Sequence, residues 1–297
     1  MYHPAWEWWQ ACSVCPTIWL CSDGDLCPSN LANPPVPNLG HLETAVVQPK
    51  LLVTNFAAYR DRTFAKLLQY TGDFAAKNTP DCLDSLLSDS RGVVLDVGPG
   101  AGHQLFRFSN PTNIKAIYGV EPGVTMHGDL RERAVRAGLG DKYKILSCGA
   151  EEESLYPALA KEGLLSDAVN QARADTGGAV FDEIVCVRVL CGVPLPESTI
   201  QGLYSLLKPG GRFIVCEHVV NSGDARAGGS SLGLMLQNVF MLVGWAFWTG
   251  GCQLKRDTLK LLMKAAEQDD GWDKVDIETW EAWSTVPHIV GALTKKA

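Results

Sequence analysis

The stretch VVLDVGPGAGHQL, Val93 to Leu105, constrains this chain most. An apolar run holding a single acid, Asp96, has the character of a strand buried on both faces. Directly behind it, Gly98, Gly100 and Gly102 stand at every second position. Glycines so placed let the backbone turn tightly and approach a ligand closely. The pattern predicts a helix over Gly102–Phe108, stopped near Asn110-Pro111, whose N-terminus would add a partial positive charge to the turn.

The charge at Asp96 decides which ligand suits the turn. A dinucleotide site follows G-x-G-x-x-G, whereas here the spacing is G-x-G-x-G and His103 stands where the third glycine would be. A carboxylate beside a pyrophosphate is a repulsive neighbour; beside an ammonium it is a partner. S-adenosylmethionine offers an ammonium, a sulfonium and a carboxylate, and no phosphate. A second acid should close the next strand and take the ribose hydroxyls, about twenty residues past the turn, and IYGVEP places Glu121 there. Taken singly, Glu121 would be a solvated strand-end acid and the glycines a tight turn without a ligand. Together with Asp96 they make a donor site.

The remainder alternates in the manner of a parallel sheet covered by helices on both faces. Strands are expected at Val93–Val97, Ile117–Val120, Tyr143–Ser147, Glu183–Val187 and Phe213–Glu217. Helices are expected at Thr125–Ala137, ended by Gly138, and at Glu197–Leu207, ended by Pro209-Gly210-Gly211. Before them, apolar positions from Leu52 to Tyr70 recur at helical steps, and TPDCLDSLLSDS reads as a helix with Thr79 as N-cap. The long segment Pro157–Gly178 is expected to carry an extra helix that includes Ala168–Ala174. Leu232–Trp248 is nearly uncharged, but Gln237, Asn238 and two glycines interrupt it, so it reads as a core or substrate-lid helix rather than a membrane span.

Residues 1–50 form an irregular arm rich in Trp, Cys and Pro, and residues 51–297 the domain proper. In the arm, Cys12, Cys15, Cys21 and Cys27 offer one CxxC but no second, so no resident metal is expected. The arm reads as packing on the domain or staying mobile; its Trp6, Trp8, Trp9 and Trp19 would also suit a membrane interface. Glu7, Pro16 and Asp23 break it, so no stable span is expected, only peripheral contact. A net charge of −7 argues against nucleic acid as a partner. With no secretory leader pattern and six cysteines in or beside apolar runs, a reducing, cytoplasmic setting is expected.

From about Leu51 onward the chain resembles the class I S-adenosylmethionine-dependent methyltransferases. VVLDVGPGAG, YGVEPG, ILSCGAEEESL, FDEIVCVRVLCGVP and LYSLLKPGGRFIVCEHV follow one another in that family's order. Within it the chain is similar to the ubiquinone-methylase-like branch. It is more closely similar to the animal microsomal thiol S-methyltransferases, through VLCGV, KPGGRFIVCEHV, GCQLKRDT and PHIVGALTK. The resemblance implies a Rossmann-like α/β fold, a mostly parallel seven-stranded sheet of order 3-2-1-4-5-7-6 with an antiparallel last strand. The sixth strand falls near Val275–Glu278. It also implies that Asp96, Gly98, Gly100, Gly102 and Glu121 bind the donor, with Val187 and Arg188 as a ledge beneath its methionine part. Relatives often have an Asp where Gly149 stands, so the adenine would be held by the backbone of Ala150 and by Glu151 instead. In microbes this branch often modifies natural products, which implies a biosynthetic role.

Methyl transfer from a sulfonium needs an in-line nucleophile, and positioning with water exclusion supplies much of the catalysis. An apolar cover from Leu232–Trp248 and the N-terminal helix favours a small hydrophobic acceptor, with Cys191, Trp245 and Trp248 lining its pocket. A thiol ionises readily, whereas a phenol or alcohol needs a base. The candidate base is His218, which would equally suit a bond to a neighbouring helix or loop. Cys191 and Cys252 read as packing groups. S-methylation of a thiol is favoured, O-methylation stands second, and a non-catalytic S-adenosylmethionine-binding module is the reading from another class.

Overall fold

Val94 and Leu95 are neighbours in the chain and lie on opposite faces of the sheet, each fully buried. Each face therefore needs its own cover. The computed structural model describes residues 44–165 and 178–297. The four N-terminal cysteines, the tryptophans at positions 6, 8, 9 and 19 and the helix expected at Ala168–Ala174 lie outside these residues.

Seven strands form one sheet: β1 (Gly92–Val97), β2 (Ile114–Val120), β3 (Tyr143–Leu146), β4 (Phe181–Val187), β5 (Leu207–His218), β6 (Lys274–Trp280) and β7 (His288–Thr294). Their order is β3-β2-β1-β4-β5-β7-β6, as the resemblance implied. Strands β1 to β5 are parallel where they pair, and β7 runs antiparallel to both β5 and β6. One face packs Leu95, Ile184 and Phe213 against α5 (Glu152–Lys161), α6 (Pro196–Leu206) and α9 (Thr258–Ala265) through Leu155, Leu203 and Leu262. The other packs Val94, Val185 and Ile214 against α3 (Cys82–Ser88) and α4 (His127–Arg136) through Leu83, Leu87 and Leu130. Burying each such side chain contributes about 1.5–3 kcal/mol, so both helical layers are held by the sheet rather than by helix propensity.

Four local expectations are corrected. No α-helix follows the glycine turn; the chain makes a 3-10 turn at Leu105–Arg107. Gly100 and Gly102 sit at φ of 58° and 82°, outside the right-handed helical region, so a helix cannot start there. Thr79 does not cap α3: its hydroxyl donates to the Ala76 carbonyl and accepts from Arg107, while Asp81 occupies the cap position. The apolar run from Leu51 to Tyr70 divides into α1 (Pro49–Thr54) and α2 (Phe56–Lys77), because the Asn55 side chain accepts the Ala58 N–H and restarts the helix. The segment Leu232–Trp248 also divides, into α7 (Ser231–Leu242) and α8 (Trp245–Trp248), with Gly244 at φ 91° between them. Among the described residues, no helix is long and apolar enough to cross a membrane.

Candidate active site

The carboxyl ends of β1, β2, β4 and β5 bring the candidate residues to one edge of the sheet, the edge where open α/β sheets bind ligands. Asp96, near the end of β1, is buried and accepts a hydrogen bond from the Tyr143 hydroxyl at 2.7 Å. Burial pushes its carboxyl up to about 6; the Tyr143 bond opposes that and the nearby Glu121 charge adds to it. Neither of these neighbours is a cation, so an ionised Asp96 has no counter-charge from them. A ligand ammonium would supply it. The turn that follows has no room for side chains. A Cβ on Gly98 would meet Val189 Cγ2 at 2.4 Å, and one on Gly102 would meet Leu130 Cδ1 at 2.9 Å.

Glu121 closes β2 and is tied into the same turn. Its Oε2 accepts the Gly100 N–H at 2.9 Å and its Oε1 the Gly123 N–H at 2.7 Å. Burial raises its carboxyl, and these two backbone donors pull it partly back. Each oxygen keeps a lone pair, so ribose hydroxyls remain acceptable partners while the carboxylate fixes the shape of the turn.

At the expected adenine end, Ala150 is buried and Glu151 half-buried just ahead of α5. A Cβ on Gly149 would lie 2.1 Å from Glu151 Oε2. The Glu151 carboxylate thus occupies the space that an Asp side chain at 149 would need.

The loop after β4 is organised by an acid that sequence reasoning missed. Glu217, fully buried, accepts the N–H groups of Val189 and Leu190 on Oε1, at 2.8 and 2.9 Å, and that of Cys191 on Oε2, at 3.3 Å. Burial pushes its carboxyl up to about 7 against the pull of these donors. The available signal was an acid closing the otherwise apolar run FIVCE. Arg188 has φ 58°, and its side chain leaves the donor edge. It donates to the carbonyls of Ala75 and Asn78 at the end of α2, both at 2.8 Å, and to His288 Nε2 at 3.3 Å. Arg188 is thus left to contribute only its backbone to a ledge beside Val187.

Beyond this loop lies the apolar cover. Cys191, Trp245 and Cys252 pack in one buried cluster with Leu254 and Val286, beneath Phe240 and Met241 of α7. His218 Nδ1 lies 3.2 Å from Cys252 Sγ, and its ring meets that of His288 edge-on at 4.4 Å. A bond from the Cys191 thiol, together with the imidazole, holds the Cys252 thiol well below its ordinary range; giving that bond raises Cys191. His288 is buried and held far below the usual imidazole range, hence neutral, consistent with a structural role. Trp248 stands apart from this cluster, at the rim of α8, edge-on to Phe247. Of the three residues expected around the acceptor, two meet and one does not.

A seven-stranded sheet of this order, with an acid and glycine turn after β1 and a second acid after β2, defines the class I methyltransferase fold. The chain belongs to the methyltransferase-domain family, whose sequence model matches residues 56–267. The methyl donor of this class is S-adenosylmethionine, and the uncompensated Asp96 fits its ammonium. Thiol S-methyltransferase TMT1B of Rattus norvegicus is 34% identical over 120 residues, a stretch covering 39% of this chain and 44% of the rat protein. Thiol S-methyltransferase TMT1A of Homo sapiens is 31% identical over 118 residues, 38% of this chain and 43% of that one. The matched stretch therefore spans less than half the length of these relatives. In fold, the chain is similar to an O-methyltransferase family protein from Burkholderia thailandensis, with a TM-score of 0.53 and 13% identity, over 91% of this chain and 74% of that one.

Proposed function

We propose that the protein transfers the methyl group of S-adenosylmethionine to a small, largely hydrophobic acceptor, and that the acceptor atom is the sulfur of a thiol. In this reading Asp96 pairs with the donor ammonium and the backbone N–H groups of the Gly98–Gly102 turn take its carboxylate. Glu121 takes the ribose, the Ala150 backbone and Glu151 take the adenine, and the Val187–Arg188 backbone supports the methionine chain. Cys191 and Trp245 line the acceptor pocket, with Trp248 at its mouth.

The observation that carries the choice of sulfur is at His218. A hydroxyl acceptor needs a base, and this imidazole, with Nδ1 at the Cys252 thiol, has only Nε2 to offer. A thiol reaches its thiolate near neutral pH with little help. The curated relatives named above are thiol S-methyltransferases, which supports the same choice. O-methylation of a phenol or other hydroxyl stands second; among structural relatives, the Burkholderia thailandensis protein bears an O-methyltransferase name.

We extend the proposal to a reducing, cytoplasmic setting, supported by the six free thiols among the described residues, and to a biosynthetic role for the product. The test is incubation with deuteromethyl donor and a panel of alkyl and aryl thiols, phenols and amines, read by mass spectrometry. Label on thiols is expected. Label on phenols alone would move the acceptor to oxygen, and donor binding with no labelled product would leave a binding module.

A further inference from the structure

Cys191, His218 and Cys252 are far apart in sequence and sit on three separate elements, yet their Sγ, ring nitrogen and Sγ atoms all lie within 4.8 Å of one another. Each is delivered by backbone already fixed for another reason. Cys191 is held from both sides, its N–H by Glu217 and its carbonyl by the Gln253 N–H at 2.9 Å. Cys252 follows a turn in which Gly250 and Gly251 sit at φ 67° and 98°, and the ring of Phe64 from α2 lies against Gly250. His218 closes β5, paired with His288 of β7.

We propose that these three side chains bind one zinc ion, with the fourth position open to the acceptor. Two thiolates and an imidazole are a zinc donor set, and three protein ligands with one open position are the pattern of catalytic rather than structural zinc. Charge balances. Two thiolates neutralise the metal, and Glu217 beneath the Cys191 backbone is offset by Arg256, whose guanidinium holds the carbonyls of Leu190 and Val193. The Trp245 indole N–H, buried without a full hydrogen bond, lies beside the same sulfurs. Val189, two residues before Cys191, packs on Gly98, so the loop that carries Cys191 also lines the donor turn.

The role of the open position rests on the thiol reading above; the metal site itself does not. A thiol acceptor binding there loses its proton to solvent and becomes a zinc-bound thiolate. Its sulfur lone pair forms the new bond to the methyl carbon. The bond from methyl to sulfonium breaks, and its electron pair stays on the donor sulfur, giving neutral S-adenosylhomocysteine. One negative and one positive charge thus become two neutral thioethers, and the product thioether, a poor zinc ligand, leaves.

The experiment uses the full chain, stripped with a chelator under reducing conditions and reloaded with zinc or cobalt(II). About one metal per chain should survive desalting, with a thiolate-to-cobalt charge-transfer band, and zinc should raise the melting temperature of the unmutated protein. Cys191→Ser and Cys252→Ser, each checked for fold by circular dichroism, should lose that metal and that band. A variant with Cys12, Cys15, Cys21 and Cys27 all changed to Ser should keep them. Metal retained in the first two variants, lost in the last, or never taken up would overturn the site, as would a disulfide joining Cys191 to Cys252 in the untreated chain. Thiol methylation should be lost on stripping and restored by zinc. Equal thiol turnover with and without zinc would end the activating role and leave the acceptor reading standing. Zinc binding with no thiol turnover in any form would end the acceptor reading and the activating role built on it, and leave the metal site standing.

Discussion

Asp96 is a charge that the fold leaves for a ligand to balance, which gives donor binding a pH dependence. Its carboxyl sits at about 6 in the folded chain against an ordinary value of 3.8. Between those values the native state holds more protons than the unfolded state, so this group's stabilising contribution is complete below about pH 4 and is lost as pH rises through about 6. Donor binding works in the opposite sense, because an ammonium prefers the ionised form. Affinity should weaken as pH falls below about 6, by up to about tenfold per unit, measured by calorimetry across that range. Asp96→Ala should abolish this dependence and weaken binding by about 1–3 kcal/mol, the scale of a charge-assisted hydrogen bond; unchanged affinity would remove Asp96 from the donor site. A second residue-scale expectation follows from the Glu151 carboxylate lying over Gly149. Gly149→Asp should lower the melting temperature slightly through like-charge repulsion, since the flexible end of Glu151 can swing aside, and adding Glu151→Ala should recover most of that loss. Asp96, Glu121 and the glycines were legible in the sequence because a charge inside an apolar strand and a repeated glycine need no partner to be noticed. Glu217 and the trio of Cys191, His218 and Cys252 were not. Glu217 stands 26 positions from Cys191 and His218 34 from Cys252, and only the fold brings them together.

At the level of elements, the strands were legible for the same reason that they form: β1 and β4 are apolar on both faces, and a chain with such runs can bury them only between two layers of helix. The helix after the glycine turn was not legible, because periodicity over seven residues carries no information about φ, and two left-handed glycines overrule it. The edge strand β6 reads as charged because it is paired on one side only, and charges such as Lys274 and Asp276 disfavour pairing of an open edge with another chain. Arg188 belongs to this scale as well. The last carbonyls of α2 have no helical partner, and this guanidinium takes two carbonyls there, fastening the helix over the donor edge. Arg188→Ala should therefore lower stability by about 1–3 kcal/mol in denaturant titrations while donor affinity is kept. A large loss of affinity in a variant of unchanged stability would show that the side chain belongs to the ledge after all.

For the molecule as a whole, the residues proposed for donor and acceptor stand at the carboxyl edge of the sheet, and α7 and α8 supply apolar cover to the cluster of Cys191 and Cys252. Excluding water there favours a reaction in which a thiolate and a sulfonium annihilate their charges, since both are poorly solvated before the step and neutral after it. A phenol or alcohol gains from the same cover only if a base first removes its proton. The two acceptors therefore respond differently when the imidazole is removed. For a hydroxyl acceptor, His218→Ala deletes the proton acceptor and should lower the rate by about 10²–10⁴ whatever the metal concentration. For a thiol acceptor the same substitution removes one zinc ligand and leaves the two thiolates of Cys191 and Cys252, so the loss should appear as weakened metal affinity. Excess zinc should then restore thiol turnover, and the rate in metal-free buffer should climb with pH toward the acceptor's own ionisation. Thiol turnover that stays lost at saturating zinc, in a variant that still binds donor, would mean that His218 acts on the acceptor directly.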